Sequence, residues 1–232
     1  MLNNTNDPHK LEAGSFVFVL LMCVIANAQS FHPGPAASRF DSTAVWHPPA
    51  DFRQTLDSRC DSLGGVAFQD CFLNLMRESG ATPEALRFAE LTDTTGYLRR
   101  FVNAGTVDIA YVCYPFRANE NYGVTLVNGR PGMIDVDDFQ YVDLTLLKMD
   151  STYLDIVNDF PDAAVWPGDR YLFNQPAYEP LTGGGQRFIV EYSLKNGCHA
   201  CADLAAIRFA FDFDSTGNFI GTHLVGVKRL SQ

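Results

Sequence analysis

Three consecutive stretches near the end of the chain decide the fold. They read RFIVEYSL (187–194), AIRFAFDF (206–213) and FIGTHLVGV (219–227), separated by short polar or glycine-containing segments. In the second stretch large apolar residues alternate with charged or small ones, which is the pattern of a strand that is buried on one face. Its apolar face consists of Ile207, Phe209, Phe211 and Phe213. Three such strands in a row predict an antiparallel meander.

The segment 51–105 has the spacing of helices instead. Apolar residues recur every three or four positions over 52–60 and 66–77, with Gly64-Gly65 between the two runs. Thr82 followed by Pro83 is typical of a helix start, with threonine as the N-cap and proline in the first turn. We also expect a fourth helix, which opens at Thr94 or Thr95, includes Leu98, Phe101 and Val102 and ends near Gly105.

The character of the sequence changes at Thr106. VDIAYVCY (107–114) predicts a strand, and Tyr122–Val127 with 133–136 predicts a hairpin around Asn128-Gly129. We expect a helix capped by Ser151, either helix or strand over 144–149, and loop over 167–185. The fold class expected is α+β, in which an N-terminal helical cluster packs on a mainly antiparallel β-sheet that ends in the three-strand meander.

The N-terminal part resembles a secretory signal peptide. Residues 16–26 are eleven consecutive apolar residues, and Ala26-Asn27-Ala28 supplies the small residues that a signal peptidase needs. An apolar run of this length is too short to span a membrane, which takes about 20 residues. We therefore expect a signal peptide over 1–28, a proline-rich linker over 29–50 and a single α+β domain over 51–232, helical in 51–105 and mainly β in 106–232. The exported protein, periplasmic or secreted, would have no membrane span.

The composition excludes some partners. The 232 residues include 17 Lys and Arg against 27 Asp and Glu, for a net charge of −10. Nucleic-acid binding depends on neutralising phosphates with basic patches, so we expect no nucleic-acid partner. The partner expected is an unknown protein or a small-molecule ligand.

Five cysteines remain after the expected cleavage, and an oxidising compartment would pair them. Proximity in sequence favours a Cys60–Cys71 and a Cys198–Cys201 disulfide, which leaves Cys113 as a buried free thiol. Zinc usually needs two pairs of Cys or His ligands, and the second pair is missing, so we expect no metal and no cofactor.

Cys198-His199-Ala200-Cys201 is the one local motif that could carry chemistry. A C-x-x-C at a helix N-terminus has a lowered thiol pKa, and His199 could add positive charge beside a thiolate. However, only a short stretch separates Cys201 from the next strand, so a long supporting helix has no room. We therefore favour a structural disulfide that closes an irregular turn, with redox chemistry as the alternative.

A polar loop follows the strand that contains Cys113. Its hydrogen-bonding residues are Arg117, Asn119, Glu120 and Asn121. Loops placed by a rigid sheet often bind ligands, and Arg117 could hold a carboxylate or phosphate while Glu120 acts as acid or base. An ordinary solvated turn has the same composition.

Local nucleophile motifs such as G-x-S-x-G, S-x-x-K and H-E-x-x-H are absent from the sequence. The function expected is therefore a non-catalytic binding or interaction module, and whether the protein is an enzyme stays open. Two alternatives remain: a thiol–disulfide redox protein that uses Cys198, His199 and Cys201, and a hydrolase whose catalytic residues are distant in sequence.

The signal-peptide hypothesis has a direct test. We expect the exported chain to begin at Gln29, because the small residue Ala28 occupies the position that signal peptidase requires. N-terminal sequencing and intact-mass measurement of the protein collected outside the cytoplasm check this. The variant Ala28→Arg should stay uncleaved, and an intact N-terminus on cytoplasmic wild-type protein would contradict the assignment.

Overall fold

The computed structural model describes residues 39–116, 121–168 and 176–230. Its four α-helices are α1 (Phe52–Cys60), α2 (Gly65–Glu78), α3 (Pro83–Leu91) and α4 (Ser151–Asp159). Short 3-10 helices occupy Ser42–Ala44, Phe139–Tyr141 and Leu144–Met149. Within these described ranges, none of the helices is both long and apolar enough to cross a membrane.

The strands form two antiparallel sheets. The first sheet has the order β1-β2-β3-β4, from the strands β1 (Tyr97–Val102), β2 (Asp108–Cys113), β3 (Tyr122–Val127) and β4 (Met133–Asp135). The second sheet has the order β5-β7-β8-β9, from β5 (Ala163–Pro167), β7 (Gln186–Asn196), β8 (Asp203–Phe213) and β9 (Phe219–Arg229). The strand β6 (Ala177–Pro180) pairs with the first residues of β7, on the same side as β5. The α+β class and the final meander are confirmed, and the strands are divided between two sheets.

One hydrophobic cluster joins the two sheets. It contains the alternating apolar residues of β8, all of them nearly or completely buried, as the sequence predicts. The first sheet contributes Ile109, Val124 and Leu126, Val107 joins them from just before β2, and β7 contributes Phe188, Val190, Tyr192 and Leu194. Burial of these side chains is the main favourable term that holds the sheets together.

Helix α3 covers the opposite face of the first sheet. Leu98, Ala110 and Val112 pack there with Phe88 of α3 and with Phe40. A further cluster joins α1, α2 and α3 to Tyr97 and Cys113, which strand alternation places on the same face of the sheet as Ile109. On the second sheet, α4 packs against β9, and Arg229 Nη2 donates a 2.6 Å hydrogen bond to the Asp159 carboxylate.

Side-chain N-caps begin α3 and α4, and the cap of α4 differs from the one expected. Thr82 Oγ1 accepts a 3.1 Å hydrogen bond from Ala85 N, and Pro83 is the first residue of α3, as expected. In α4 the cap is Asp150 rather than Ser151, because the Asp150 carboxylate accepts a 3.0 Å hydrogen bond from Tyr153 N. The segment 144–149, which the sequence left as helix or strand, is 3-10 helix.

The helix expected from Thr94 or Thr95 to near Gly105 is wrong, since 92–95 form a turn and Tyr97–Val102 forms β1. Asp93 and Thr94 have positive φ angles of 50° and 57°, which end the helical path after α3. Tyr97–Val102 then pairs antiparallel with β2. Spacing alone could not separate the two outcomes, because the choice depends on hydrogen bonds to a strand farther along the chain.

Two segments expected as linker or loop carry packed structure. In the described part of 29–50, Phe40, Ala44 and Trp46 are buried in the core, and Trp46 N donates a 2.9 Å hydrogen bond to Leu98 O. The loop expected over 167–185 includes β6, whose residues are exposed. An exposed edge strand lacks the apolar alternation that would reveal it in the sequence.

Gln186 connects the two sheets by hydrogen bonds. This residue is 8% exposed, and its Oε1 accepts from Val107 N at 2.7 Å. Its Nε2 donates to Ala104 O at 2.8 Å and to Val107 O at 3.2 Å. Gly105 has a φ of +136°, and a side chain there would approach Gln186 Nε2 to 3.0 Å, so glycine suits this position. The start of β7 is thereby fixed to the chain that leads into β2.

Replacing Gln186 tests this connection. We expect Gln186→Leu to lower the free energy of unfolding by about 3 kcal/mol, because the buried backbone groups of Val107 and the partly buried carbonyl of Ala104 lose their partners. Urea unfolding followed by circular dichroism measures the change. The matched control is Gln69→Leu, whose side chain makes one exposed 3.2 Å bond to Asp93 O. A similar loss in both variants would contradict the role of Gln186.

Candidate functional site

The Cys198-x-x-Cys201 motif lies in the turn between β7 and β8. The two cysteines form a disulfide with a Cα–Cα distance of 5.0 Å. Asn196 N donates to Ala202 O at 3.0 Å, and Cys201 N donates to Cys198 O at 3.0 Å, so the turn is closed by main-chain bonds as well. Strand β8 begins at Asp203, directly after the motif. No helix therefore starts at Cys198 to lower a thiol pKa through its dipole.

The surroundings of this disulfide are nevertheless polar and accessible. Cys198 is exposed and Cys201 is half-buried. The His199 ring packs edge-on against Trp166 of β5, with ring centroids 5.4 Å apart. Lys195, whose side chain is almost fully buried, forms an ion pair with Asp203 at 3.1 Å. The motif is a hairpin closure that a reductant could reach.

The other cysteines follow the pairing that sequence proximity favours. Cys60 of α1 and Cys71 of α2 form a disulfide with a Cα–Cα distance of 5.8 Å, which ties these two helices together. Cys113, at the end of β2, is free and buried.

The polar loop after β2 is only partly described. Arg117, Asn119 and Glu120 lie outside the described residues, so their proposed binding role stays a prediction. Asn121 is described: its main-chain oxygen accepts a 2.7 Å bond from Tyr114 N, and its Nδ2 donates to Tyr114 O at 3.3 Å. These bonds place Asn121 in the wall of a cavity.

That cavity has a volume of about 340 Å³ and lies where five parts of the chain meet. We call it the Cys113 cavity; its lining residues are Pro48, Pro49, Ala50, Phe52, Arg53, Tyr97, Cys113, Pro115, Asn121 and Tyr122. About half of the wall is apolar, and the three prolines and three aromatic residues among these residues have few rotatable bonds.

Two polar atoms in the cavity wall stay protonated at neutral pH. Burial raises the pKa of the Cys113 thiol, although a hydrogen bond from the Tyr97 hydroxyl opposes this shift. Burial likewise raises the pKa of Tyr97, and the neighbouring Cys113 adds to the increase. The thiolate is the nucleophilic form of cysteine, so Cys113 is poorly suited to nucleophilic catalysis.

Two arginines place positive charge near this cavity. Arg53 lines the cavity, and its Nε donates to Asp57 Oδ1 at 2.9 Å and to Asp57 Oδ2 at 3.1 Å. Arg99 Nη1 donates to the Tyr122 hydroxyl at 2.6 Å. Attraction to Arg99 and, more weakly, to Arg53 also lowers the pKa of the Cys113 thiol. Both effects are smaller than those of burial and of the Tyr97 hydrogen bond. The field of both guanidinium groups therefore reaches the cavity wall.

Sequence reasoning identified Asn121 and the free Cys113 but missed the cavity itself. Its residues come from the segment before α1, from α1, β1 and β2, and from the chain around the start of β3, and no local motif links them. Comparison of the chain with protein-family models, curated proteins and solved structures found no match. The geometry of the chain itself is therefore the basis for assigning a function.

The two disulfides should differ in their resistance to reduction. We expect Cys198–Cys201 to be reduced before Cys60–Cys71, because a thiolate must reach a sulfur atom and Cys60 is fully buried whereas Cys198 is exposed. Stepwise treatment with dithiothreitol, alkylation and peptide mass spectrometry measure the order. Simultaneous reduction, or prior loss of Cys60–Cys71, would contradict this expectation.

The same protein in glutathione and dithiothreitol redox buffers gives the reduction potential of Cys198–Cys201. A value below about −300 mV is typical of structural disulfides, whereas oxidoreductases fall between about −270 and −120 mV. The variant pair Cys198→Ser with Cys201→Ser shows what loss of the bridge does to stability.

Proposed function

We propose that this protein is a non-catalytic binding module and that the Cys113 cavity holds a small-molecule ligand. The observation that carries the proposal is the cavity itself, about 340 Å³ in volume, with a wall that is about half apolar and half polar. Small-molecule sites are typically cavities of about 300–1,000 Å³ that combine apolar lining with a few polar groups. Rigid proline and aromatic walls lose little conformational freedom when a ligand binds.

The chemistry of the lining favours binding over catalysis. Among the described residues that form the wall there is no carboxylate and no imidazole to serve as a general base. The raised pKa values of Cys113 and Tyr97 keep these groups neutral. A hydrolase with sequence-distant residues would need an activated nucleophile with a base beside it, so we place this alternative behind the binding module.

We infer in addition that the protein is exported. The two disulfides support this inference, because such bonds persist in oxidising compartments and are rare in the cytosol. The apolar run before Ala28 supports it from the sequence. Residues 1–38 lie outside the described part of the chain, so the signal peptide and its cleavage stay predictions.

Thiol–disulfide exchange at Cys198 and Cys201 is a second candidate function. The exposure of Cys198, with the His199 ring beside it, favours this candidate, because a redox disulfide must be reachable. The position of the motif in a strand-to-strand turn weighs against it, since the helix that activates such thiols is missing there. The reduction potential described above distinguishes the two candidates.

A neutral probe tests the binding site. We expect 3-phenylpropanol to shift the backbone amide signals of Tyr97, Cys113, Asn121 and Tyr122 in NMR titrations of the purified protein, because its ring suits an apolar wall. The variant Ala50→Trp should weaken binding at least about tenfold, or about 1.4 kcal/mol, by filling the cavity mouth.

The matched control is Ala67→Trp, at an exposed alanine of α2 that is not part of the cavity lining. Its affinity for 3-phenylpropanol should equal that of the unmodified protein. The proposed site would be refuted by shifts that lie elsewhere, or by equal effects of the two tryptophan variants.

A further inference from the structure

We propose that the Cys113 cavity selects a small carboxylate ligand with an aromatic body, and that Arg53 holds the carboxylate at the cavity mouth. This inference rests on the proposed function, since it names the chemical class of the ligand for the same cavity. It follows from where charge, free hydrogen-bond donors and apolar surface lie around that cavity.

The charge of the lining favours an anion. Arg53 is the one charged side chain among the described residues that line the cavity, and the polar groups beside it are neutral. Arg99 adds a second positive charge behind the wall, where its guanidinium lies 5.0 Å from the centroid of the Tyr122 ring. A cationic ligand would meet repulsion from both groups, whereas an anionic ligand would be attracted.

The hydrogen bonds of Arg53 leave room for a carboxylate. Both contacts with Asp57 are made by Nε, at 2.9 and 3.1 Å. The ion pair is exposed, with 57% of the Arg53 side chain and 51% of the Asp57 side chain accessible, so it competes weakly with another anion. The two terminal nitrogens of a guanidinium can bind both oxygens of a carboxylate at once.

The apolar floor favours a ring as the body of the ligand. Phe52, Tyr97 and Cys113 line the cavity and are only 4%, 6% and 7% exposed, so they form a small apolar surface on a well-packed base. Phe52 and Tyr97 are arranged edge to face, with centroids 6.5 Å apart. An added aromatic ring can extend such packing, and aromatic pairs prefer this offset or edge-on geometry. A ring on this floor and an anionic group at the mouth would satisfy both parts of the cavity.

Three probes that share one ring test the inference: 3-phenylpropionate, 3-phenylpropanol and 3-phenylpropylamine. NMR titrations of the purified protein give the dissociation constant of each from the amide signals of the cavity residues. We expect the acid to bind about tenfold more tightly than the alcohol, and the amine to bind most weakly. The advantage of the acid should shrink as salt is added, because ions screen an exposed guanidinium.

Variants of α1 assign this preference to Arg53. Arg53→Gln should reduce the affinity for the acid to about that for the alcohol. Asp57→Asn breaks the same ion pair but keeps the guanidinium, so it should bind the acid at least as tightly as the unmodified protein. Arg59→Gln removes a positive charge from the same helix, at a residue that pairs with Glu78 at 2.6 Å, and should change none of the affinities.

The outcomes separate this inference from the proposed function. Equal affinities for acid and alcohol, or an undiminished preference for the acid in Arg53→Gln, would overturn the inference. Binding of the alcohol at the cavity would still support the proposed function. If none of the three probes shifts the cavity signals, both fail. Because Arg53 is exposed, an unchanged NMR spectrum away from the cavity should confirm that its variant is folded.

Discussion

The two sheets can share a core only if the polar groups at their junction keep hydrogen-bond partners, and the Gln186 side chain supplies them. Its amide is buried, accepts from Val107 N and donates to Ala104 O and Val107 O. A buried backbone group without a partner costs as much as the burial of several apolar atoms gains. The apolar faces of both sheets therefore depend on one amide that satisfies a donor and two acceptors at once.

A second buried polar residue attaches the N-terminal segment. The Asp108 carboxylate, 1% exposed, accepts hydrogen bonds from Arg39 and Asn128 at 2.7 Å each, and Asn128 in turn bonds both backbone groups of Phe40. This network holds the chain after Arg39 against the first sheet. The prolines of the Cys113 cavity lie a few residues farther along the same segment. The segment that supplies these prolines is thus anchored on the face of the first sheet opposite to the cluster that joins the two sheets.

The two sites that contain cysteine differ in how their surroundings affect thiol reactivity. Cys198 is exposed and Cys201 half-buried, but a strand begins two residues after Cys201, so no helix dipole stabilises a thiolate there. At Cys113 two guanidinium groups attract negative charge, yet burial has the larger effect and keeps the thiol protonated. The same positive charges that fail to activate the thiol remain available to a bound anion, and this favours recognition over catalysis at the Cys113 cavity.

Local patterns in the sequence were sufficient for α1, α2 and α3, for the meander of β7, β8 and β9, and for both disulfides, because these depend on residues close together in the chain. Tertiary structure decided the rest. Residues 97–102 became β1 rather than helix because β2 offered backbone partners, and the exposed β6 has no alternation to reveal it. Asn121 and Cys113 were recognisable in the sequence, but Arg53, Tyr97 and the prolines join them only when distant segments pack together. A cavity forms where such segments pack against each other, and the periodicity of a sequence reports only local structure, so it cannot predict the cavity.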